Sequence, residues 1–148
     1  MRKVYLIGSL RNPKVQLIAK ELRAAMPDVR IFDDWACAGE HADDAWRDHE
    51  QGAGVSLIEA LQRPAAQHVF AFDKKHLEES TAVVLIAPAG KSAHLELGWC
   101  LGKGKPGYIL IDNPERWDVM MNFADGVTQD ICELMAWLRR DIVNADNP

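Results

Sequence analysis

One acidic side chain, Glu96, lies in an apolar stretch where its charge needs an explanation. It falls within Gly90–Trp99, G-K-S-A-H-L-E-L-G-W, which follows the apolar run V-V-L-I-A-P directly. A capping box would place a glutamate at the third helical position after an N-cap serine. If Ser92 is the N-cap, that third position is Leu95, and Glu96 comes one residue too late. The spacing therefore suggests that Glu96 serves a ligand rather than the start of its own helix.

Two further turns place polar side chains directly after predicted strands. These are Gly8-Ser9-Leu10-Arg11 and Asp33-Asp34-Trp35. In open parallel sheets, ligands bind beyond the carboxyl ends of the strands, near the point where the strand order reverses. Together with Pro88–Ser92, these turns mark a crevice that Glu96 can face from one turn into the following helix.

Strands that alternate with helices are predicted along most of the chain, and they would bring these turns to one edge of a sheet. Short apolar or β-branched runs indicate strands at Lys3–Ile7, Val29–Phe32, Ala82–Ala87 and Tyr108–Ile111. Apolar spacing and breaker residues indicate helices from Pro13 to Met26 and at Ser56–Gln62, Ala65–Ser80, Ser92–Lys103 and Asp130–Val143. The alternation predicts an α/β fold of the flavodoxin or Rossmann-like type. Its centre would be a doubly wound parallel sheet of about five strands with flanking helices, in one domain spanning residues 1–148.

The stretch from Ala36 to about Gly54 lacks a clear period, and we predict a long, less regular loop there. It is rich in Asp, His, Gly and Trp, and long loops in compact domains are often functional. The two helices that follow it are expected to be bent against each other at Pro64.

Composition and motifs exclude several classes of protein. The net charge is −5 over 148 residues, which argues against a nucleic acid polymer as partner. No apolar run has the roughly 18 residues that a membrane span needs. Three cysteines that form no C-x-x-C are typical of reduced thiols in a cytoplasmic protein. Dinucleotide, P-loop, hydrolase-elbow and zinc-protease fingerprints are all missing from the sequence, so we predict neither a metal nor an organic cofactor.

Three motifs, in this order, resemble the nucleoside 2-deoxyribosyltransferase family. They are Y-L-I-G-S-L-R from Tyr5 to Arg11, F-D-K-K-H-L-E-E-S with Asp73, and H-L-E-L-G-W around Glu96. The first is especially similar to the family's relatives, the 2′-deoxynucleoside 5′-phosphate N-hydrolases. The resemblance extends from about Tyr5 to Ile111. This chain departs from the family in having Ser-Thr rather than Ala-Asp before the central strand, and in a longer segment from residue 35 to residue 69.

The resemblance implies an enzyme that cleaves or transfers the N-glycosidic bond of a nucleoside or nucleotide, most naturally a 2′-deoxy one. Glu96 would be the nucleophile, Asp73 would help to protonate or position the base, and Tyr5 would orient the nucleophile. Such a reaction passes through an oxocarbenium-like transition state, which a carboxylate beneath the anomeric carbon stabilises or attacks. In retaining glycosidases, two carboxyl groups about 5–5.5 Å apart follow a covalent route. We expect the positive end of the predicted helix to keep Glu96 ionised.

The turns would then hold the rest of the substrate. Ser9, Arg11 and Ser92 lie where helices open, and free N–H groups and a guanidinium can bind an anion there. The G-S-x-R turn, which begins at Gly8, favours a 5′-phosphate. Asp34 and Trp35 would line the substrate site from the neighbouring turn.

Asn122, in W-D-V-M-M-N-F, corresponds to a position at which this family reaches into a neighbouring subunit's site. A loop-capping role explains an asparagine there equally well. The first interpretation predicts a homodimer or larger homo-oligomer, and symmetric dimers are the commonest soluble assembly.

Each candidate also has an ordinary structural explanation. Glu96 and Asp73 could be surface carboxylates on helices, and Tyr5 could be a core residue whose hydroxyl finds a partner. Arg11 could be a solvated loop cation, and Trp35 could cover a small satellite core. Three functions stay open on the sequence alone: a transferase that uses a second base, a hydrolase that uses water, and a non-catalytic nucleotide-binding module.

Overall fold

A five-stranded sheet, parallel throughout, forms the centre of the protein in a computed structural model that describes residues 1–114 and 116–145. The strands are β1 (Arg2–Ile7), β2 (Val29–Phe32), β3 (Ala82–Ile86), β4 (Gly107–Leu110) and β5 (Gly126–Thr128). They follow the order β2-β1-β3-β4-β5. The predicted fold class is confirmed, and the four strands identified from the sequence agree with the structure to within one residue at each end.

Strand β1 lies between β2 and β3, and its side chains alternate between two apolar layers. Tyr5 is in register with Phe32 of β2 and Val83 of β3, and these three side chains share one layer. The neighbouring Val4 and Leu6 belong to the opposite layer. Because both faces of the sheet are covered, the central strands are mostly apolar, as is usual in parallel sheets. Lys3 of β1 is a buried exception that pairs with Glu79.

In the part of the chain that the structure describes, six α-helices accompany the sheet. They are α1 (Lys14–Ala25), α2 (Ala42–Gly52), α3 (Leu57–Ala60), α4 (Pro64–Glu79), α5 (Lys91–Gly102) and α6 (Ile131–Asn144). Helices α1 and α6 cover one face, where Leu134 and Leu138 of α6 are fully buried. Burial of one such leucine contributes about 1.5–3 kcal/mol. Helices α4 and α5 pack on the other face, above β1, β3 and β4.

The prediction of an irregular segment from residue 36 to residue 54 was wrong, because this segment contains a 3₁₀ helix (Asp34–Ala38) and α2. Helix α2 has the sequence A-D-D-A-W-R-D-H-E-Q-G, and its one buried residue is Glu50. The face that α2 turns inward carries Trp46 and Glu50 rather than a run of aliphatic residues. A search for apolar periodicity therefore does not find this helix.

Three further boundaries differ from the expectations. Pro64 is the first residue of α4 rather than a bend in a longer helix, which suits its fixed φ and missing N–H. Gly90 is the N-cap of α5 and Ser92 is its second residue, so Ser92 does not cap the helix. The three-residue strand β5 and a 3₁₀ helix at Val119–Phe123 are too short to be predicted from periodicity.

Cys37, Cys100 and Cys132 are free thiols. Within residues 1–114 and 116–145, no helix combines the length and the apolar character that crossing a membrane would require.

Candidate active site

Tyr5, Asp73 and Glu96 come together beneath helices α4 and α5. Tyr5 lies in the middle of β1 on the face that these two helices cover, and its side chain is buried. Asp73 is on α4 and Glu96 is on α5, and their charges act on each other and on the Tyr5 hydroxyl. The structure thus brings together three residues that are 68 and 23 positions apart along the chain.

Asp73 is held on the inward stripe of α4. Leu77 follows it by one turn and is buried in the same layer as Tyr5. The Tyr5 hydroxyl hydrogen-bonds the Asp73 carboxylate, while Oδ1 of Asp73 is buried and has no hydrogen-bond partner. A buried acceptor without a partner costs free energy unless a proton or a ligand satisfies it. Oδ1 of Asp73 can therefore be satisfied by a proton, by water or by a ligand.

The pKa of Glu96 lies well above the usual range of a glutamate, which favours its protonated form near neutral pH. Burial, and then the charge of Asp73, raise its pKa from 4.5 to about 8. The expectation that the start of α5 keeps Glu96 ionised was wrong for this state. Glu96 is the sixth residue of α5, and the helix dipole acts mainly within the first turn.

Asp73 and Glu96 form a coupled pair of acids. Burial also raises the pKa of Asp73, although the hydrogen bond from Tyr5 opposes that rise. Burial and the two carboxyl groups raise the pKa of Tyr5, so its hydroxyl keeps its proton. Neighbouring carboxyl groups of this kind share protons and titrate as a pair. Such a pair can provide one ionised carboxylate and one proton donor at the same time.

The raised pKa of Glu96 predicts how stability depends on pH. Between 4.5 and about 8 the folded state holds a proton at Glu96 that the unfolded state releases. This contribution to stability is complete below pH 4.5 and is lost as the pH rises through about 8. Glu96→Gln stays neutral throughout. The free energy of unfolding of the variant, relative to that of the wild type, should therefore increase as the pH rises. The increase should be up to about 1.4 kcal/mol per pH unit between pH 4.5 and about 8.

Urea unfolding of both proteins at about pH 5, 7 and 9 would check this expectation. A difference between the two free energies that is constant across the three pH values would contradict the buried, protonated state of Glu96.

The turn after β1 is shaped by Trp35. The Trp35 indole N–H donates to the carbonyl oxygen of Leu6 at 2.7 Å. A Cβ at Gly8 would lie 2.7 Å from Cγ2 of Val15 and 3.3 Å from Cη2 of Trp35, so no side chain fits at this position. Trp35 thus supports the turn, and its only N–H donor is already used by the protein.

Asn12 is a site residue that the sequence analysis did not identify. Its side chain is buried, and Nδ2 donates to the carbonyl oxygen of Pro88 at 3.2 Å. Its Oδ1 accepts from the backbone N–H of Lys14 at 3.0 Å. Asn12 therefore ties the turn after β1 to the turn after β3, on either side of the point where the strand order reverses. The Asn-Pro dipeptide indicates a turn here, but nothing in the sequence indicates the long-range partner.

The candidate anion-binding side chains surround this junction. Oγ of Ser9 accepts from the backbone N–H of Arg11 at 3.2 Å, and the Arg11 guanidinium extends to Asp44 of α2 at 2.6 Å. Ser92 is exposed in the first turn of α5, and no side chain caps that helix. The N–H groups at the start of α5 are thus left to water or to a ligand.

The two remaining candidates are Asp34 and Asn122. Asp34 is exposed and pairs with Arg30 at 3.2 Å. Asn122 is exposed on the 3₁₀ helix, where its Nδ2 donates to the carbonyl oxygen of Val119 at 3.0 Å. Trp46 lies on the inward stripe of α2, and its indole N–H is buried without a hydrogen-bond partner. None of these contacts places the three side chains beside Glu96.

Among the residues that the structure describes, no group of three or more His, Cys, Asp or Glu side chains is arranged to hold a metal ion.

Three solved structures with this fold resemble the chain along most of its length. A conserved protein from Enterococcus faecalis V583 superimposes with a TM-score of 0.64 at 10% identity, over 95% of this chain and 98% of its own. A 2-deoxyribosyltransferase from Bacillus psychrosaccharolyticus gives 0.58 at 16% identity, over 90% of each chain. A CMP N-glycosidase from Clostridium botulinum gives 0.52 at 11% identity, over 93% of this chain and 99% of its own.

These likenesses establish the fold, which is the fold that the sequence resemblance implied. No family model matches the sequence, and no curated protein matches it.

Proposed function

We propose that this protein is an enzyme that cleaves or transfers the N-glycosidic bond of a nucleoside or nucleotide, with a 2′-deoxy sugar as the expected form. The observation that carries the proposal is the half-buried pair of Asp73 and Glu96, in which one buried carboxylate oxygen lacks a partner within the protein. The fold is shared with a 2-deoxyribosyltransferase and a CMP N-glycosidase, which supports this chemistry. The residues proposed to act need no cofactor.

In the first step, the Glu96 carboxylate attacks the anomeric carbon while the bond from that carbon to the base nitrogen breaks. The electron pair of the breaking bond goes to the base, which takes a proton from Asp73 or by way of it. Tyr5 holds Asp73 through its hydroxyl. Glu96 must lose its proton before it can attack. Transfer of that proton to the neighbouring Asp73 leaves the total charge of the two carboxyl groups unchanged. In the second step, water or another base attacks the same carbon, the bond from that carbon to the Glu96 oxygen breaks, and Asp73 takes the proton that the attacking group loses.

The turn after β1 is proposed to hold a 5′-phosphate. Ser9, Arg11 and the uncapped start of α5 supply N–H groups and one guanidinium around the junction that Asn12 fixes. A 5′-monophosphate should therefore have a higher kcat/KM than its nucleoside, and Arg11→Ala should remove that preference. Arg11→Lys should restore little of it, because lysine lacks the bidentate fork. Equal kcat/KM values for nucleoside and nucleotide in the wild type would contradict the phosphate site and favour a nucleoside transferase.

A second copy of the chain is proposed to cover the outer side of α5. Leu95 of α5 and Phe123 of the 3₁₀ helix are 75% and 77% exposed. A groove of about 1030 Å³ runs between these two helices on the face of α5 opposite Glu96. Exposed apolar surface of this kind marks an association site, and Asn122 lies on the same 3₁₀ helix.

We expect a homodimer or larger closed oligomer, measured as molar mass by light scattering at working concentrations. Phe123→Asp should shift the protein toward the monomer and lower its activity. Leu17→Asp is the matched control, since Leu17 is exposed on α1 at the other face of the sheet. A monomeric wild type with full activity would overturn this expectation.

The proposed function itself is tested by incubating the protein with a panel of nucleosides and 5′-monophosphates, with and without a free acceptor base, and by separating the products. Release of free base in water alone indicates a hydrolase. Exchange that requires the acceptor base indicates a transferase. Binding without either product would support a non-catalytic nucleotide-binding module and would overturn the enzyme proposal. The free thiols support a cytoplasmic location.

A further inference from the structure

The carboxylate of Asp44 lies on the guanidinium of Arg11. Oδ2 of Asp44, in the first turn of α2, is 2.6 Å from Nη2 of Arg11 in the turn after β1. The two residues are 33 positions apart, so the contact depends on how α2 is placed over this turn.

Local helix energetics explain only part of this arrangement. A carboxylate in a first helical turn is favoured by the helix dipole, and Asp43 and Asp44 both lie in that turn. The dipole does not decide which cation Asp44 contacts. The pair stabilises the fold little, because the Arg11 side chain is 61% exposed and an exposed ion pair is screened by water. The contact is thus easily exchanged for another anion.

Asp44 also has a second cation. Its Oδ1 is 3.0 Å from Nη1 of Arg47, one helical turn further along α2. If Arg11 turned to another anion, Asp44 would keep Arg47 and would not be left unpaired. The arrangement therefore allows two states of Arg11, one paired with Asp44 and one free to bind a ligand.

We propose that Asp44 is a specificity-determining residue that competes with the substrate's 5′-phosphate for the guanidinium of Arg11. The proposal rests on the proposed function for the identity of the ligand. A phosphate monoester carries about −1.5 to −2 charges at neutral pH, so it displaces a single carboxylate from an exposed arginine. The displaced Asp44 carboxylate stays nearby and repels the bound phosphate. This repulsion lowers the ratio of nucleotide affinity to nucleoside affinity.

The test is Asp44→Asn, which removes the charge and keeps the shape of the side chain. Dissociation constants for a 2′-deoxynucleoside 5′-monophosphate and for its nucleoside would be measured by calorimetry in the Glu96→Gln background, where the ligand is not consumed. Asp44→Asn should tighten monophosphate binding about three- to tenfold and leave nucleoside binding unchanged. High salt should reduce this gain, because the charges involved are exposed.

Asp48→Asn is the matched control. Asp48 is on the same helix, is 66% exposed and pairs with Arg47 at 2.9 Å. It carries the same charge as Asp44 without contacting Arg11, so its loss should change monophosphate binding less than twofold. In an Arg11→Ala background, Asp44→Asn should no longer tighten binding, since the competition needs the guanidinium.

Weaker or unchanged monophosphate binding in Asp44→Asn would overturn the proposal, as would an equal gain in Asp48→Asn. The proposed function can fail separately. If the wild type neither binds nor cleaves any nucleoside or nucleotide, titration with inorganic phosphate still compares the two variants. An Asp44→Asn gain that requires Arg11 would then support the competition, and no gain would refute it.

Discussion

Glu96→Gln should lower kcat/KM by at least about 10³-fold on every substrate that the wild type cleaves, because the proposed mechanism then lacks its nucleophile. Glutamine is neutral and close in shape to the protonated glutamate of the free protein, so the variant should fold normally. The loss should be independent of the leaving group, since the carboxylate is needed whichever base departs. Single-turnover kinetics with a natural substrate and an activated aryl deoxyriboside would measure both losses.

Glu78→Gln is the control, because it removes a carboxylate outside the proposed site. Glu78 is exposed on α4, and its replacement should leave the rates unchanged. A folded Glu96→Gln protein with near-wild-type turnover would remove Glu96 from the mechanism.

Asp73→Asn should slow cleavage of a natural substrate by about 10²–10⁴-fold, the usual contribution of general-acid assistance. A base that leaves as an anion needs a proton, whereas an aryl leaving group of low pKa does not. The same variant should therefore lose only a few-fold on the activated deoxyriboside. The ratio of the two rates cancels modest changes in stability or binding.

Comparison with Glu96→Gln separates the two roles, because that variant should be slow on both substrates. An equal loss on both substrates in Asp73→Asn would make Asp73 a positioning residue. The unpartnered Oδ1 of Asp73 would then be explained by a contact to the sugar rather than to the base.

The sequence predicted the sheet well because its strands carry strong local signals. The apolar run before Pro88 indicated β3, and the alternation of strands and helices indicated the parallel order. Glu96 could be singled out because its position does not fit a capping box, whereas roles for Tyr5 and Asp73 were implied only by the resemblance to a family, which had Tyr5 orient Glu96 rather than contact Asp73. Within their own elements, Tyr5 resembles any core residue of a strand and Asp73 resembles any surface carboxylate of a helix.

Other features could not be predicted because they depend on side chains that meet across the fold. Asn12 reaches the carbonyl oxygen of Pro88, and Asp44 reaches Arg11, and neither partner lies nearby in the chain. The raised pKa of Glu96 follows from burial between two helices, which local sequence does not encode. Helix α2 was missed because its inward face carries Trp46 and Glu50 rather than a repeat of aliphatic residues.

The attachment of α2 has a consequence for how this protein could change over evolution. Its one buried residue, Glu50, is 4% exposed and forms an ion pair with Arg63, so few apolar contacts tie α2 to the sheet. A segment held in this way opens and re-forms at low free-energy cost, and most of its positions can mutate without unfolding the protein. The carboxyl pair, by contrast, lies between α4, α5 and β1, where a change in the size or shape of a side chain disturbs the core. If the proposed function holds, substitutions in α2 can change substrate preference while the carboxyl pair, and with it the proposed reaction, stays the same.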